Sequence, residues 1–175
     1  MIAFRHADPR LPFLREDASQ PPARWHDAGE GPVQYFADTP DGAWAEFLRH
    51  EEIRSEDDLA TIRRAIWAVE IGDEPAAEPG LPSAMLTGGP ETYDTCREES
   101  RRLRRQGATR IVASSAALLA GGAQGHHVEA GLKAGPPRDG RAIILFGPRP
   151  ALVGWRAAYE GRPAAELLVR VRHLG

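Results

Sequence analysis

Three side chains that could act together stand at equal steps of eleven residues: Arg24, Tyr35 and Glu46. Four residues share one face of a predicted helix because they follow the spacing i, i+3, i+4 and i+7: Ala43, Glu46, Phe47 and His50. If the two apolar members point inward, Glu46 does too, and a buried carboxylate needs a partner or a cleft. Two interpretations stay open: a buried salt bridge to one of the arginines, or a cleft carboxylate that does chemistry.

The other two side chains have ordinary interpretations when each is taken alone. Arg24 precedes Trp25 in a segment without regular structure, where a guanidinium could clamp a phosphate or carboxylate, although a surface arginine is the simpler interpretation. Tyr35 lies in the predicted strand "VQYFA", and an inward tyrosine is commonly a core residue with a bonded hydroxyl. A loop, a strand and a helix separate the three residues, so their equal spacing is no helical repeat, and taken singly none of them indicates a site.

Hydrophobic periodicity and turn residues predict the elements that must position these side chains. Five or six strands are expected, over residues 2–6, 33–37, 65–71, 109–115, 141–147 and 166–174. One helix is predicted over residues 40–50, capped by Thr39, and another over residues 90–107, opened by Pro90 and closed by Gly107. The fold class is therefore α+β: one compact domain over residues 1–175 with a mixed or split β-sheet flanked by helices.

Composition limits which class of protein this chain can be and in which compartment we expect it. The net charge is −3, without a broad basic field, so we expect no direct contact with nucleic acid. Cys96 is the only cysteine, so no intrachain disulfide can form, which fits a cytoplasmic location. The chain begins with a short, charged stretch of ten residues, which is unlike a signal peptide. No apolar run approaches the roughly 20 residues that span a bilayer. We therefore expect a cytoplasmic protein without a membrane segment.

Several short motifs occur in an order that resembles one known family. They are "FR" at Phe4-Arg5, "RW" at Arg24-Trp25 followed by Gly29, Val33 and Tyr35, and the helical set Ala43, Glu46 and His50. This order resembles the RES domain, a family named for its Arg, Glu and Ser. The serine would lie in "VASSAA", where Ser115 is the better match and Ser114 the alternative.

The resemblance implies a compact fold similar to the ADP-ribosyltransferase toxins, with an NAD-binding cleft. It implies the toxin of a bacterial toxin–antitoxin pair that consumes NAD, as a glycohydrolase, a phosphorylase or an ADP-ribosyltransferase. The implied partner is an antitoxin with an Xre-type helix-turn-helix domain. Whether water, phosphate or a protein accepts the ADP-ribose stays open, as does formation of a homodimer.

The resemblance also assigns roles to individual residues. Glu46, Arg24 and Tyr35 would form the catalytic set, and the NAD-binding set would be Arg5, His6, Arg24, Tyr35 and Ser115. Cleavage of the nicotinamide–ribose bond passes through an oxocarbenium-like transition state, which the Glu46 carboxylate would stabilise. Arginines would neutralise the pyrophosphate or admit phosphate, and Tyr35 would form an aromatic wall. Ser115 would position the substrate, since no His-Asp pair at motif spacing supports a nucleophile.

Three departures from the family pattern lie close to these residues. Pro22-Ala23 stands where the family often has Gly-Gly, His26 where it often has Asn, and His6 where members with a known cleft carry Tyr. Two alternatives follow: a degenerate RES domain that binds a nucleotide or a protein without turnover, or a hydrolase that uses Glu46 on another substrate.

Two histidine features complete the candidate list. His126-His127 with Glu129 could suggest a metal, but adjacent histidines point apart, so we expect no metal site. His50 lies one turn beyond Glu46 and either bonds that carboxylate or closes the helix, and we favour the second role.

Overall fold

A computed structural model describes residues 1–17 and 19–174. Within these residues, six strands form one sheet: β1 (Ile2–Ala7), β2 (Val33–Ala37), β3 (Arg64–Glu70), β4 (Arg110–Ser114), β7 (Arg141–Phe146) and β8 (Val153–Gly161). A separate hairpin pairs β5 (His126–Val128) with β6 (Leu132–Ala134). The strands predicted near β1, β2, β3, β4 and β7 are confirmed, and β2 has the predicted bounds.

The large sheet is split between two of its strands. Its order is β4-β7-β2-β1-β3-β8, and each neighbouring pair is antiparallel. β1 pairs with β3 along its whole length, from Ile2–Glu70 to Ala7–Ala65, but it meets β2 only where Phe4 faces Ala37. β1 and β2 therefore diverge beyond Phe4. The α+β prediction with a split sheet is confirmed, and the strand direction is antiparallel throughout this sheet.

The helix predicted over residues 40–50 has the predicted bounds, whereas the helix predicted over residues 90–107 begins at Tyr93, after a 3₁₀ turn, and ends at Arg105. The helices are α1 (Pro40–His50), α2 (Glu56–Leu59), α3 (Ser83–Thr87) and α4 (Tyr93–Arg105), with 3₁₀ turns at Pro90–Thr92 and Ala165–Arg170. The Thr39 hydroxyl accepts a hydrogen bond from the Gly42 amide at 3.0 Å and so caps α1. Gly107 follows α4 with φ +93°, a conformation that favours glycine. No helix in the described residues is long and apolar enough to cross a membrane.

Both faces of the sheet are covered by apolar side chains. On one face, α1 packs Phe47 and Leu48 against Ile66 of β3, while α4 packs Cys96 and Leu103 over the β4–β7 side. The other face carries a third cluster: Ala3, Phe36, Val69, Ile71, Ile143 and Leu145, with Phe13 and Trp67 packed against it. Trp67, Val69 and Ile71 therefore share one face, on which Val69 and Ile71 are buried and Trp67 is partly buried. The two helical clusters lie on either side of the split between β1 and β2, which leaves room for a cleft there.

One predicted strand was wrong, and one observed strand was not predicted. The segment predicted as a strand over residues 166–174 begins with the 3₁₀ helix Ala165–Arg170, in which Leu167 is buried and Val169 is 80% exposed. This segment joins the fold through an isolated bridge between Leu118 and Val171, outside the large sheet. β8, which the sequence did not predict, is an edge strand whose Trp155 and Tyr159 are half exposed. Because neither segment alternates buried and exposed side chains, periodicity misjudged both.

Candidate active site

A cleft of about 600 Å³ opens where β1 and β2 diverge, between α1 and the start of α4. Five of the six predicted site residues line it: Arg5, His6, Arg24, Tyr35 and Glu46. Ser115 lies just behind the lining, between the lining residues Ser114 and Ala116. The loop that carries Arg24, the strand that carries Tyr35 and the helix that carries Glu46 therefore converge on one cavity.

Glu46 projects from α1 into this cleft. Its Oε1 accepts a hydrogen bond from Ser115 Oγ at 3.4 Å, and no Glu46 ion pair within 4.0 Å occurs among the described residues. Burial raises the pKa of Glu46, whereas the charges of Arg49 and Arg24 and the Ser115 bond act in the opposite direction. Glu46 therefore faces the cleft, and among the described residues it does not form the buried salt bridge that was one of the two interpretations left open by the sequence.

Arg24 is buried in the wall of the cleft, where its guanidinium holds the loop that precedes α4. Nη1 donates to the Met85 carbonyl at 3.2 Å and to Thr92 Oγ1 at 3.0 Å, and Nη2 donates to the Gly88 carbonyl at 2.6 Å. The guanidinium carbon also lies 4.6 Å from the centre of the Tyr93 ring. Both terminal nitrogens of Arg24 therefore have protein partners, and this side chain supplies a fixed positive charge to the cleft.

Arg49, one turn beyond Glu46, is a site residue that sequence reasoning missed. It is 5% exposed and lines the cleft. Nη1 donates to the carbonyls of Ala116 and of Arg172, the latter at 2.8 Å, and Nη2 donates to Gly88 at 2.7 Å and to Thr87 at 3.5 Å. Burial, followed by the charge of Arg24, lowers the pKa of Arg49. The sequence signal that could have identified Arg49 is its i, i+3 spacing from Glu46, in a helix that is apolar on several faces.

Tyr35 fixes the segment that carries Arg24. Its hydroxyl accepts a hydrogen bond from the Trp25 amide at 3.2 Å and lies 2.8 Å from His26 Nδ1. The Tyr35 and His26 rings lie 5.7 Å apart, and burial raises the pKa of the Tyr35 hydroxyl and lowers that of His26. His26 is therefore a packing residue here, and the ring of Tyr35 is the part that lines the cavity.

The opposite end of the cleft carries cations. Arg5 Nη1 donates to Gln34 Oε1 at 2.6 Å, and burial lowers the pKa of Arg5 to about 10. Burial first, then the charges of Arg64, Arg5 and His50, lower the pKa of His6 to about 3. Because Arg64 Nη2 lies 3.1 Å from His6 Nδ1 and can only donate, we assign the imidazole proton to Nε2. In the described chain, neither Arg5 nor Arg64 has a carboxylate partner within 4.0 Å.

The two candidate serines have different positions. The Ser115 side chain is buried, and its hydroxyl accepts hydrogen bonds from the amides of Ala117 at 3.2 Å and Leu118 at 3.3 Å while it donates to Glu46. Ser114 is exposed at the end of β4 and lines the cleft. Ser115 is therefore the serine that contacts the carboxylate, and Ser114 the one whose side chain reaches open space.

The remaining histidine candidates lie either away from the cleft or at its edge. His126 and His127 belong to the exposed β5–β6 hairpin, where Glu129 lies 3.6 Å from both His127 and Lys133. Among the described residues, no group of three or more His, Cys, Asp or Glu is placed to hold a metal ion. His50, at the end of α1, is exposed and lines the cleft.

Fold and cleft together define an α+β domain in which Glu46 faces a cavity whose wall includes the buried Arg24 and Arg49. The family model of the RES domain matches residues 2–128, more than half of the 175 residues. The chain therefore belongs to the RES domain family, as its motifs indicated.

Two known proteins are similar to the chain. A protein named Toxin Res, from Pseudomonas putida, is 39% identical over 82 residues, a match that covers 42% of this chain and 54% of that protein. The chain thus spans about half the length of that relative. The crystal structure of the MbcT–MbcA toxin–antitoxin complex of M. tuberculosis contains a chain with the same fold. That likeness has a TM-score of 0.58 at 14% identity and covers 88% of this chain and 83% of the other.

Proposed function

We propose that this chain is the NAD-consuming toxin of a toxin–antitoxin pair and that it cleaves the nicotinamide–ribose bond. The observation that carries the proposal is Glu46, a carboxylate that faces a 600 Å³ cleft with two buried guanidiniums near it. A cavity of this size is typical of small-molecule sites. Family membership and the name Toxin Res of the P. putida relative support the toxin role.

The reaction breaks the bond between ribose C1′ and the nicotinamide nitrogen. The bonding electron pair goes to the pyridinium ring, which leaves as neutral nicotinamide, and positive charge develops on the ribose. The ionised Glu46 carboxylate stabilises that charge because it is fixed before the reaction in a site of low polarity. An acceptor oxygen then attacks C1′ and loses its proton. Water, phosphate and a protein side chain are the acceptors that the test below separates.

The rest of the cleft is suited to an anionic dinucleotide. Arg5 and Arg64, which lack carboxylate partners among the described residues, flank His6 and would hold the pyrophosphate, together with His6 Nε2–H. Tyr35 would form a wall beside the nicotinamide ribose. Arg24 would act through its charge, since its terminal nitrogens are bonded to carbonyls and to Thr92. Ser115 would hold Glu46 in place.

The proposed partner is an antitoxin with an Xre-type helix-turn-helix domain, and we expect the pair to act in the bacterial cytoplasm. Support comes from the similar chain in the MbcT–MbcA structure, which is a toxin–antitoxin complex. A gene for such a protein beside this one, and growth arrest on induction of this chain alone, are the expected observations.

The direct test is nicotinamide release from NAD by the purified protein, with and without inorganic phosphate. Wild type should release nicotinamide, and Glu46→Gln should release it far more slowly. ADP-ribose as product identifies water as acceptor, ADP-ribose 1″-phosphate identifies phosphate, and labelled protein identifies a side chain. NAD binding without release would favour the degenerate, binding-only RES domain instead.

A further inference from the structure

Arg49 is a buried charge beside the carboxylate, and it is heavily hydrogen-bonded. Its two terminal nitrogens donate to four carbonyls, those of Ala116, Arg172, Thr87 and Gly88. A buried guanidinium is costly unless its donors are satisfied, and here backbone oxygens satisfy them. Since no carboxylate is used, the positive charge of Arg49 is not cancelled by an ion pair within 4.0 Å in the described residues.

The four carbonyls belong to three separate segments of the chain, and of these residues Ala116 lines the cleft. Ala116 follows Ser115 in the turn after β4, Thr87 and Gly88 lie between α3 and the next 3₁₀ turn, and Arg172 lies in the last described segment. The bonds to Ala116 and Arg172 join α1 to residues 67 and 123 positions away in the chain. A single side chain therefore connects the helix that carries Glu46 to the turn that carries Ser115 and to two further segments.

Arg49 also acts on Glu46 through its charge. The charged or polar groups that face the carboxylate are Arg49 and His50 of α1, Arg24 of the segment before β2, and Ser115 of the turn after β4. Burial raises the pKa of Glu46, and Arg49 is the largest of the opposing charges. Without Arg49, protonated Glu46 would be populated at higher pH, and a neutral acid cannot stabilise a developing cation.

We propose that Arg49 is a positioning residue of the cleft, which fixes Glu46 relative to Ser115 and the Gly88 loop and holds a positive charge beside that carboxylate. The effect on turnover rests on the proposed function. The effects on geometry and on the ionisation of Glu46 do not, so they are measured separately from activity.

Two substitutions separate the effect of the Arg49 charge from the effect of its planar guanidinium geometry. Arg49→Lys keeps the charge, but a compact ammonium cannot reach four carbonyls in the same arrangement. Arg49→Gln removes the charge and most of the donors. Arg63→Gln is the matched control, because Arg63 also donates to backbone carbonyls, those of Ala60 and Ile62, but is exposed and away from the cleft.

The experiment titrates the Glu46 side-chain carboxyl by ¹³C NMR and follows the backbone amide shifts of Glu46, Ser115 and Gly88. In Arg49→Gln, the Glu46 pKa should rise by about one unit or more, because a nearby charge is lost in a site of reduced polarity. In Arg49→Lys, the pKa should stay within about half a unit of wild type, while the three amides shift. Arg63→Gln should leave all of these signals unchanged.

Turnover gives the second readout. Both Arg49 variants should lower kcat for nicotinamide release, Arg49→Gln by about a hundredfold and Arg49→Lys by about tenfold, while KM changes less than about threefold. In Arg49→Gln, the acidic limb of the kcat–pH profile should move up with the Glu46 pKa.

Each outcome decides the proposal. An unchanged Glu46 pKa and unchanged amide shifts in Arg49→Gln would overturn it, whether or not the protein is active. If Arg49→Gln does not fold, Arg49→Lys decides: wild-type amide shifts in that variant would overturn the positioning role, and shifted amides would support it. A wild type that releases no nicotinamide refutes the proposed function alone, since the NMR titration still tests Arg49.

Discussion

Arg24 and Arg49 donate to the same acceptor, the carbonyl oxygen of Gly88, at 2.6 and 2.7 Å. The two arginines come from different elements, the irregular segment before β2 and helix α1. The loop around Gly88 is thus held from two directions, and two buried cations lie near one carboxylate, Glu46. The two arginines that line the cleft are in this way tied to one loop behind it.

Arg24→Lys should destabilise the fold more than an arginine of the surface does. A lysine cannot replace the bonds to Met85, Gly88 and Thr92 together, so the free energy of unfolding should fall by about 2–4 kcal/mol. Urea denaturation at neutral pH measures this, with Arg63→Lys as the exposed control. Equal stability of the two variants would show that the guanidinium of Arg24 does not hold the loop.

The two serines should respond differently to truncation. Ser115→Ala removes the acceptor for the Ala117 and Leu118 amides and the donor to Glu46, so it should cost about 1–2 kcal/mol of stability and reduce turnover. Ser114→Ala, at an exposed position, should leave stability within about 0.5 kcal/mol of wild type. Urea denaturation and nicotinamide release on both variants check this. The reverse order of effects would assign the family serine to Ser114.

Stability should fall in acid partly because of His6. The folded state keeps His6 neutral down to about pH 3, whereas the unfolded chain takes up the proton near pH 6.5. Between these values the unfolded state binds more protons, so the contribution is full above pH 6.5 and is lost as the pH falls. At pH 5 the loss from this group should be about 2 kcal/mol.

His6→Gln supplies the comparison, because it keeps a neutral acceptor for Arg64 without a titrating ring. Between pH 7.5 and pH 5, its free energy of unfolding in urea should fall by about 2 kcal/mol less than that of wild type. Identical slopes for the two proteins would mean that His6 is protonated in the folded state.

Tyr35→Phe tests the anchor of the Arg24 segment. Loss of the hydroxyl leaves the Trp25 amide and His26 Nδ1 without their partner, which should cost about 1–3 kcal/mol. The ring that lines the cleft is retained, so KM for NAD should change less than kcat. Thermal unfolding together with steady-state kinetics measures both effects, and a raised KM with unchanged stability would contradict this role.

Much of the site could be predicted from local sequence. The Thr39 cap and the helical spacing from Ala43 to Phe47 set the inward direction of Glu46, and the strand Val33–Ala37 set that of Tyr35. These are local properties, decided by residues within one or two turns. The convergence of Arg5, Arg24 and Glu46 came from the family resemblance, because their separation in the chain hides their proximity.

The rest depends on contacts that no local pattern encodes. The partners of Arg49 are carbonyls far away in the chain, and any residue type can supply a carbonyl. The hydrogen bond from Arg24 to the Gly88 carbonyl could not be predicted from the sequence for the same reason. The strand predicted over residues 166–174 was wrong because β-forming side chains are a weak local signal, and this segment instead forms a 3₁₀ helix and one isolated bridge between Leu118 and Val171.

The most direct measurement is the rate of nicotinamide release by wild type and by Glu46→Gln at saturating NAD, together with the Kd of each for NAD by calorimetry. Wild type should turn over, and Glu46→Gln should be slower by about a thousandfold, since a carboxylate fixed beside a developing cation is lost. The Kd should change by less than about tenfold, because Arg5, Arg64 and Tyr35 are retained. Equal rates for the two proteins, or no release by wild type, would contradict the account.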